Sequence, residues 1–180
     1  MPETNILRIG HPILRQKSDL VTDITSEETK NIVQMMFDTM KAANGAGLAA
    51  PQIGYLSRII VFGLEKNPRY PDAEPVPMTV LINPQYEVTD EEEEAAWEGC
   101  LSIPGMRGKV YRPKEIKYTA YTTNGERIER IARGFHARVF LHEYDHLDGV
   151  LYPDRIKNVA DFGFIEELEQ AGLIPKIDEL

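Results

Sequence analysis

Val33, Met36, Phe37 and Met40 recur at helical intervals and form one apolar stripe. Thr25 and Glu28 ahead of them have capping-box spacing, and Gly45 behind them is a natural stop. Together they predict a helix over about Ser26–Asn44, with the stripe facing a core. The pattern then changes. Arg58–Phe62 is β-branched and aromatic, which predicts a strand. Thr79–Ile82 and Glu87–Thr89 flank Asn83-Pro84, a pair that should bend or end a strand. In Glu115–Tyr121, Ile116, Tyr118 and Ala120 alternate with Lys117, Thr119 and Tyr121, the period of two of a strand. Asn124-Gly125 then predicts a tight hairpin into Arg127–Ala132.

Between the first strands, Asn67–Pro77 holds Pro68, Pro71, Pro75 and Pro77 and reads as a surface loop. The acidic run Asp90–Glu94 reads as a solvated turn between strands. A second helix is expected from about Phe135 to Gly149. A third is expected over Val159–Ala171, with Phe162, Ile165 and Leu168 as its inner face. There is no internal repeat and no Gly/Ser linker. A helix, then antiparallel strands, then helices predict one α+β domain over residues 1–180.

Composition narrows the class of function. Lys plus Arg total 20 against 29 Asp plus Glu, a formal charge of -9. Such a chain is poorly suited to gripping a nucleic-acid backbone or an anionic bilayer. Its apolar runs are far shorter than a membrane span. Met1–Gly10 has neither the apolar stretch of a signal peptide nor the look of a transit peptide, so the expected location is the cytoplasm. The single cysteine excludes an internal disulfide framework.

The sharpest chemical signal is His142-Glu143-Tyr144-Asp145-His146. Residues four apart on a helix share a face, so two imidazoles can hold one metal ion while Glu143 acts as a base on a nearby water. Phe135, Val139, His142 and His146 fall on that same face, where a core-facing helix would normally carry Leu or Ile. Unpartnered polar groups there would cost about 1–3 kcal/mol each. Ligation satisfies both; the plainer alternative is two buried histidines with ordinary hydrogen bonds.

A catalytic centre of this kind uses three protein ligands and an open position. Metzincin proteases supply a third His six residues on. Gly149 fits their glycine, but Tyr152 stands where that His belongs. A thermolysin-like protease would use a later Glu, for which Glu166 or Glu167 is conceivably placed. The third candidate is Cys100, in Glu98-Gly99-Cys100-Leu101-Ser102. A lone Cys is usually a small buried apolar residue, but a thiolate with two imidazoles makes a soft site suited to Zn²⁺ or Fe²⁺. Finally, Gly45-Ala46-Gly47-Leu48-Ala49-Ala50-Pro51-Gln52 follows the first helix. A helix cap explains Gly45; it does not explain the run of small or compact residues that ends in an amide donor.

Taken together, these three segments resemble the signature motifs of the peptide deformylase family, in order and at family-like separations. Ile6–Arg15, with Gly10, Pro12 and Leu14-Arg15, also resembles the family's opening segment, and the similarity spans roughly residues 5 to 157. The resemblance implies antiparallel β-sheets packed around a central helix that carries the HExxH motif. It implies a metal-dependent hydrolase that removes the formyl group from the N-terminal methionine of nascent peptides and releases formate. Cys100, His142 and His146 would then hold one divalent ion, Fe²⁺ in the cell with Ni²⁺ or Zn²⁺ accepted. Glu143 would be the general acid/base, and Gln52 and the Leu101 N–H would stabilise the oxyanion. Gly47, Glu98, Gly99, Arg107 and Phe135 match positions near the bound peptide. The partners implied are formylmethionyl nascent chains near the ribosome, in a bacterial cytoplasm, without direct nucleic-acid or membrane binding. Leu141 departs from the Gln that many members place before the first His. Asn67–Pro77 resembles an insertion. The acidic tail offers no electrostatic anchor on RNA. Its ending Ile177-Asp178-Glu179-Leu180 is similar to an ER-retention signal, which is discounted without a signal peptide.

Overall fold

The computed structural model describes residues 5–65 and 75–176. Most of the proline-rich loop expected at Asn67–Pro77, the Ile177–Leu180 ending and the first four residues lie outside the described residues.

Helix α1 spans Glu27–Ala42. Its cap is Ser26, one residue later than the capping-box spacing predicted. The Ser26 hydroxyl accepts from the Thr29 N–H at 3.1 Å and donates to the Asp23 carbonyl at 3.0 Å, which fixes the entry. Glu27 and Glu28 in the first turn and Lys41 in the last suit the helix dipole. The left-handed residue that ends α1 is Asn44, with φ of +50°; Gly45 follows it and donates its N–H to the Met40 carbonyl at 2.9 Å. Val33, Met36 and Met40 are buried as expected, Phe37 is half-buried, and Ile32 is buried beside them.

Among the described residues, six strands form one antiparallel network: β1 (Gly47–Ala49), β2 (Ile59–Leu64), β3 (Val76–Cys100), β4 (Ile103–Tyr121), β5 (Arg127–Arg133) and β6 (Phe162–Phe164). Strands β1 to β5 pair in chain order, and β6 pairs with β4. β3 has 25 residues and β4 has 19, far beyond an ordinary strand of about 5–6. They stay paired because β3 shifts register between Ile82 and Gln85, and again around Val88, Asp90, Glu93 and Glu98. Such bulges bend a strand and increase its twist without breaking it. The first lies at Asn83-Pro84, where Asn83 has φ of +52°; the pair bends the strand and does not end it. The acidic run is solvated, but it is strand and not turn. Asp90 faces Glu115, Glu93 faces Pro113 and Glu94 faces Arg112 across the β3–β4 ladder. The hairpin at Asn124-Gly125 forms as expected, with Gly125 at φ +80° and Tyr121 opposite Arg127.

Helix α2, Gly134–Leu147, lies against the sheet. Ala137, Val139, Phe140, Leu141 and Leu147 pack with Ile60, Phe62, Leu81, Ile116 and Tyr118. Phe140 stacks on Tyr118 with ring centroids 4.6 Å apart. Burial of each such side chain contributes about 1.5–3 kcal/mol, so α2 is held firmly across the sheet. The third helix is shorter than expected. Only Ile165–Gln170 is α-helical, as α3; Val159–Asp161 forms a single 3₁₀ turn, and Phe162–Phe164 instead adds to the β4 edge, with Arg107 opposite Gly163. Of the expected inner face, Leu168 is buried. No helix among the described residues is long and apolar enough to cross a membrane.

Candidate metal centre

β3 ends at Cys100, and the turn Leu101-Ser102 leads directly into β4, with Cys100 paired to Ile103. This brings the sulfur to the face of α2 that carries His142 and His146. One ligand atom from each of these three residues lies within 4.8 Å of the other two, and Cys100 Sγ stands 3.3 Å from His146 Nε2. A tetrahedral ion with metal–sulfur bonds of about 2.3 Å and metal–nitrogen bonds of about 2.0–2.1 Å needs such atoms roughly 3.5 Å apart. The spacing and the soft donor set both fit, so the cluster is a single divalent-metal site. The thermolysin-like alternative fails: Glu166 and Glu167 are exposed on α3 and join no such cluster among the described residues. Tyr152 stacks beside His142, with centroids 6.1 Å apart.

The ligands are braced from behind. His142 Nδ1 pairs with Glu98 Oε2 at 2.9 Å, which leaves Nε2 as the nitrogen available to an ion. Glu98 in turn accepts from Arg112 Nε at 2.7 Å, from Arg112 Nη2 at 3.0 Å and from Arg138 Nη1 at 2.8 Å. Arg112 Nη1 also reaches Asp145 Oδ2 at 2.8 Å, and Arg155 Nη2 reaches Asp145 Oδ1 at 2.7 Å. Burial alone would raise the Glu98 pKa, but Arg112 and His142 outweigh it and hold the carboxyl well below the usual range. Burial likewise opposes a charged Arg112, and Glu98 and Asp145 overcome it and raise its pKa. For His142, burial is outweighed by Cys100 and Glu98, which push its pKa well up. Burial, with the charges of His142 and Arg112, pushes His146 well down.

Glu143 is buried, and burial pushes its carboxyl up to about 7, the range in which a group both takes and returns a proton near neutrality. Its Oε2 is buried with no hydrogen-bond partner among the described residues. Gln52 is fixed by its Oε1, which accepts from the Ala49 N–H at 2.8 Å. Its Nε2 donates to Ser102 Oγ at 3.1 Å and lies 3.5 Å from Cys100 Sγ.

Gly47, Gln52, Glu98, Gly99, Cys100, Leu101, Phe135, His142 and Glu143 line one cavity. Nearly all the residues singled out from sequence are therefore brought together. Glu98 lines the cavity, yet its carboxylate is committed to Arg112, Arg138 and His142. Arg107 is buried on β4 opposite β6 and is not among the lining residues. Arg112, Arg138 and Asp145, which the structure places behind the ligands, are not among the site residues singled out from sequence. A signal existed for Arg112, which falls in the inward register of Val110, Ile116, Tyr118 and Ala120, a position where a charge needs a partner.

Comparison with known proteins agrees with this geometry. The sequence profile of the polypeptide deformylase family matches residues 3–161. The chain is 49% identical over 178 residues to "Peptide deformylase 1" of Prochlorococcus marinus, covering 98% of this chain and 93% of that one. It is 50% identical over 163 residues to "Peptide deformylase 1" of Nitrosomonas europaea, covering 91% and 93%. Among solved structures, a class I type b peptide deformylase from Acinetobacter baumannii bound to Met-Ala-Ser superposes with a TM-score of 0.81 at 37% identity, over 84% of this chain and 96% of that one. A peptide deformylase from Synechococcus elongatus in complex with actinonin gives 0.80 at 36% identity, over 98% and 90%. With a profile match over most of its length and relatives at about half identity, this chain belongs to the polypeptide deformylase family.

Proposed function

We propose that the cavity deformylates N-formylmethionyl peptides, with each of its residues in a definite role. Cys100, His142 and His146 would hold the ion, which supplies Lewis acidity to the reaction. Glu143 takes a proton from the attacking water on its carboxylate and later delivers it to the departing amine. Its buried carboxyl, poised near neutrality, supports both transfers. As water adds to the formyl carbon, negative charge grows on the formyl oxygen. Gln52 Nε2 and the backbone N–H of Leu101 donate to that oxygen; the loss of one such donor typically costs about 2.7–4 kcal/mol. Phe135 and Val139 offer apolar walls for the methionine side chain, with Gly47 and Gly99 beside the peptide backbone. A formyl carbon carries only hydrogen, so a tight site admits it and excludes acetyl.

The observation that carries this reading is the meeting of Glu143 and Gln52 in one cavity with Cys100 and His142, two members of the three-ligand cluster that His146 completes. The relative bound to Met-Ala-Ser supports a site shaped for a free methionyl N-terminus. Incubation with formyl-Met-Ala-Ser and acetyl-Met-Ala-Ser tests it: formate should appear from the first, and acetate should not appear from the second. Equal release from both would overturn the size argument.

The donor set fits Fe²⁺ and Zn²⁺ alike. We assign Fe²⁺ as the ion used in the cell, following the family resemblance. Anaerobic purification followed by metal analysis checks this, and a thiolate beside Fe²⁺ makes the activity sensitive to oxygen. Following the same resemblance, we assign emerging chains as the substrates, with the work done beside the ribosome in a bacterial cytoplasm. The family match and the three motifs gathered at one sheet support reading residues 1–180 as one domain.

A further inference from the structure

The two proposed oxyanion donors lie on separate pieces of chain. Gln52 is in the 3₁₀ turn Ala50–Ile53, and Leu101 is in the turn between β3 and β4. The direct link between these turns is the Gln52 Nε2–Ser102 Oγ bond of 3.1 Å. That link uses one N–H of an amide whose other N–H would serve the oxyanion, and it joins two side chains, so by itself it does not fix the backbones of the two turns.

A different part of the chain can. The Leu7 N–H donates to the Gln52 carbonyl at 2.8 Å, and the Ile9 N–H donates to the Ser102 carbonyl at 2.8 Å. Donors two residues apart are separated by at most about 7 Å of chain, so the carbonyls they grip cannot drift apart. The segment is well anchored. Ile6 packs on the core cluster of α1, β1 and β2, and Leu7 packs on the cluster that contains Cys100. Further on, Leu14 is buried in that same cluster, and the Ser18 N–H donates to the Leu147 carbonyl, at the end of α2, at 2.8 Å. Gly149 lies against this stretch so closely that a β-carbon there would fall 2.6 Å from the Arg15 carbonyl oxygen.

We propose that Ile6–Ile9 is a positioning strap whose backbone N–H groups at Leu7 and Ile9 fix the Gln52 turn and the Leu101-Ser102 turn at the separation the oxyanion requires. This rests on Gln52 and Leu101 being the oxyanion donors. The strap touches no substrate; it acts through the two turns. Ile9 is 46% exposed, so its side chain can be replaced with little disturbance of packing.

The test compares Ile9→Pro with Ile9→Ala in the full-length, metal-loaded enzyme. Both lose the side chain, and only the proline variant loses the N–H. The strap predicts that Ile9→Pro lowers kcat relative to Ile9→Ala by about 10-fold or more, with KM and metal content the same in both. A merely structural role would instead lower the melting temperature and leave kcat of the folded enzyme alone. Equal kcat in the two variants at equal metal content overturns the strap. If Ile9→Pro does not fold, an amide-to-ester substitution at Ile9 removes the same N–H, keeps the side chain and carries the same two outcomes. Gln52→Ala, assayed alongside, separates the strap from the oxyanion donors it positions. If it collapses kcat while the Ile9 pair match, the strap alone is wrong. If it leaves kcat intact, the oxyanion reading beneath the strap is wrong as well.

Discussion

Gly47 and Glu143 sit against each other so tightly that a β-carbon on Gly47 would fall 2.3 Å from Glu143 Oε1 and 2.8 Å from its Cδ. The missing side chain on β1 is what admits the carboxylate of α2 to the cavity. Gly47→Ala is therefore expected to push Glu143 aside. The obstructing atoms are the end of a flexible side chain, so the fold can yield at small cost, but the base is displaced. Turnover should fall by roughly 10²-fold, the scale of a misplacement of about 1 Å, while metal content and melting temperature change little. Steady-state kinetics alongside thermal melts check this; an alanine variant with normal kcat would show that Glu143 needs no such space.

Glu143→Ala should keep its ion and lose most of its activity, because Cys100, His142 and His146 remain in place. General acid–base groups contribute about 10²–10⁴-fold, and the loss in kcat should lie in that range. Metal analysis of the purified variant is the deciding control. Loss of the ion along with the activity would mean that Glu143 is a ligand and not a proton carrier.

How far the sequence alone could be read depends on the range of the interactions involved. The α2 face was legible because Phe135, Val139, His142 and His146 follow a local period. The hairpin at Asn124-Gly125 and the α1 stripe were legible for the same reason. Cys100 joined the site through its motif, since no local pattern says that a mid-chain sulfur meets a late helix. The long-range partners were hidden. Arg112 and Glu98 are 14 residues apart, and Arg138 and Glu98 are 40 apart, and only the folded ladder brings them together. The acidic run misled for a related reason: Asp90–Glu94 has poor strand propensity, but pairing with β4 across successive bulges overrides it. At the C-terminus, Phe162–Phe164 has helical spacing with Ile165 and Leu168, yet the free edge of β4 captures it as a strand.

The Glu98–Arg112 pair gives a stability prediction with a definite sign. Its side chains are each 5% exposed, and breaking a buried pair by removing one charge costs about 3–5 kcal/mol. Glu98→Gln should therefore be markedly destabilised at neutral pH. Because the folded pKa of Glu98 is held well below its unfolded value, the pair's contribution is full above about pH 4.5 and fades as pH falls toward the folded pKa. The gap in melting temperature between wild type and Glu98→Gln should narrow progressively below about pH 4.5. A gap that stays constant over that range would show that ionisation of Glu98 does not stabilise the fold.

Cys100→Ala removes the one sulfur ligand and should abolish metal binding and turnover together. Chelation of the wild-type protein should have the same effect on activity. The fold should survive it, because the three core clusters are built from apolar side chains. Circular dichroism before and after chelation checks this, with anaerobic Fe²⁺ restoring turnover. Unfolding on chelation would assign the ion a structural role.

The most direct test of the whole account is one incubation of the metal-loaded enzyme with a formyl-methionyl peptide of several residues, in which formate and product masses are measured together. One formate per peptide should form, with a single product lighter by the formyl group and every internal peptide bond intact. Shorter fragments appearing without formate would contradict it and identify the centre as that of a peptidase.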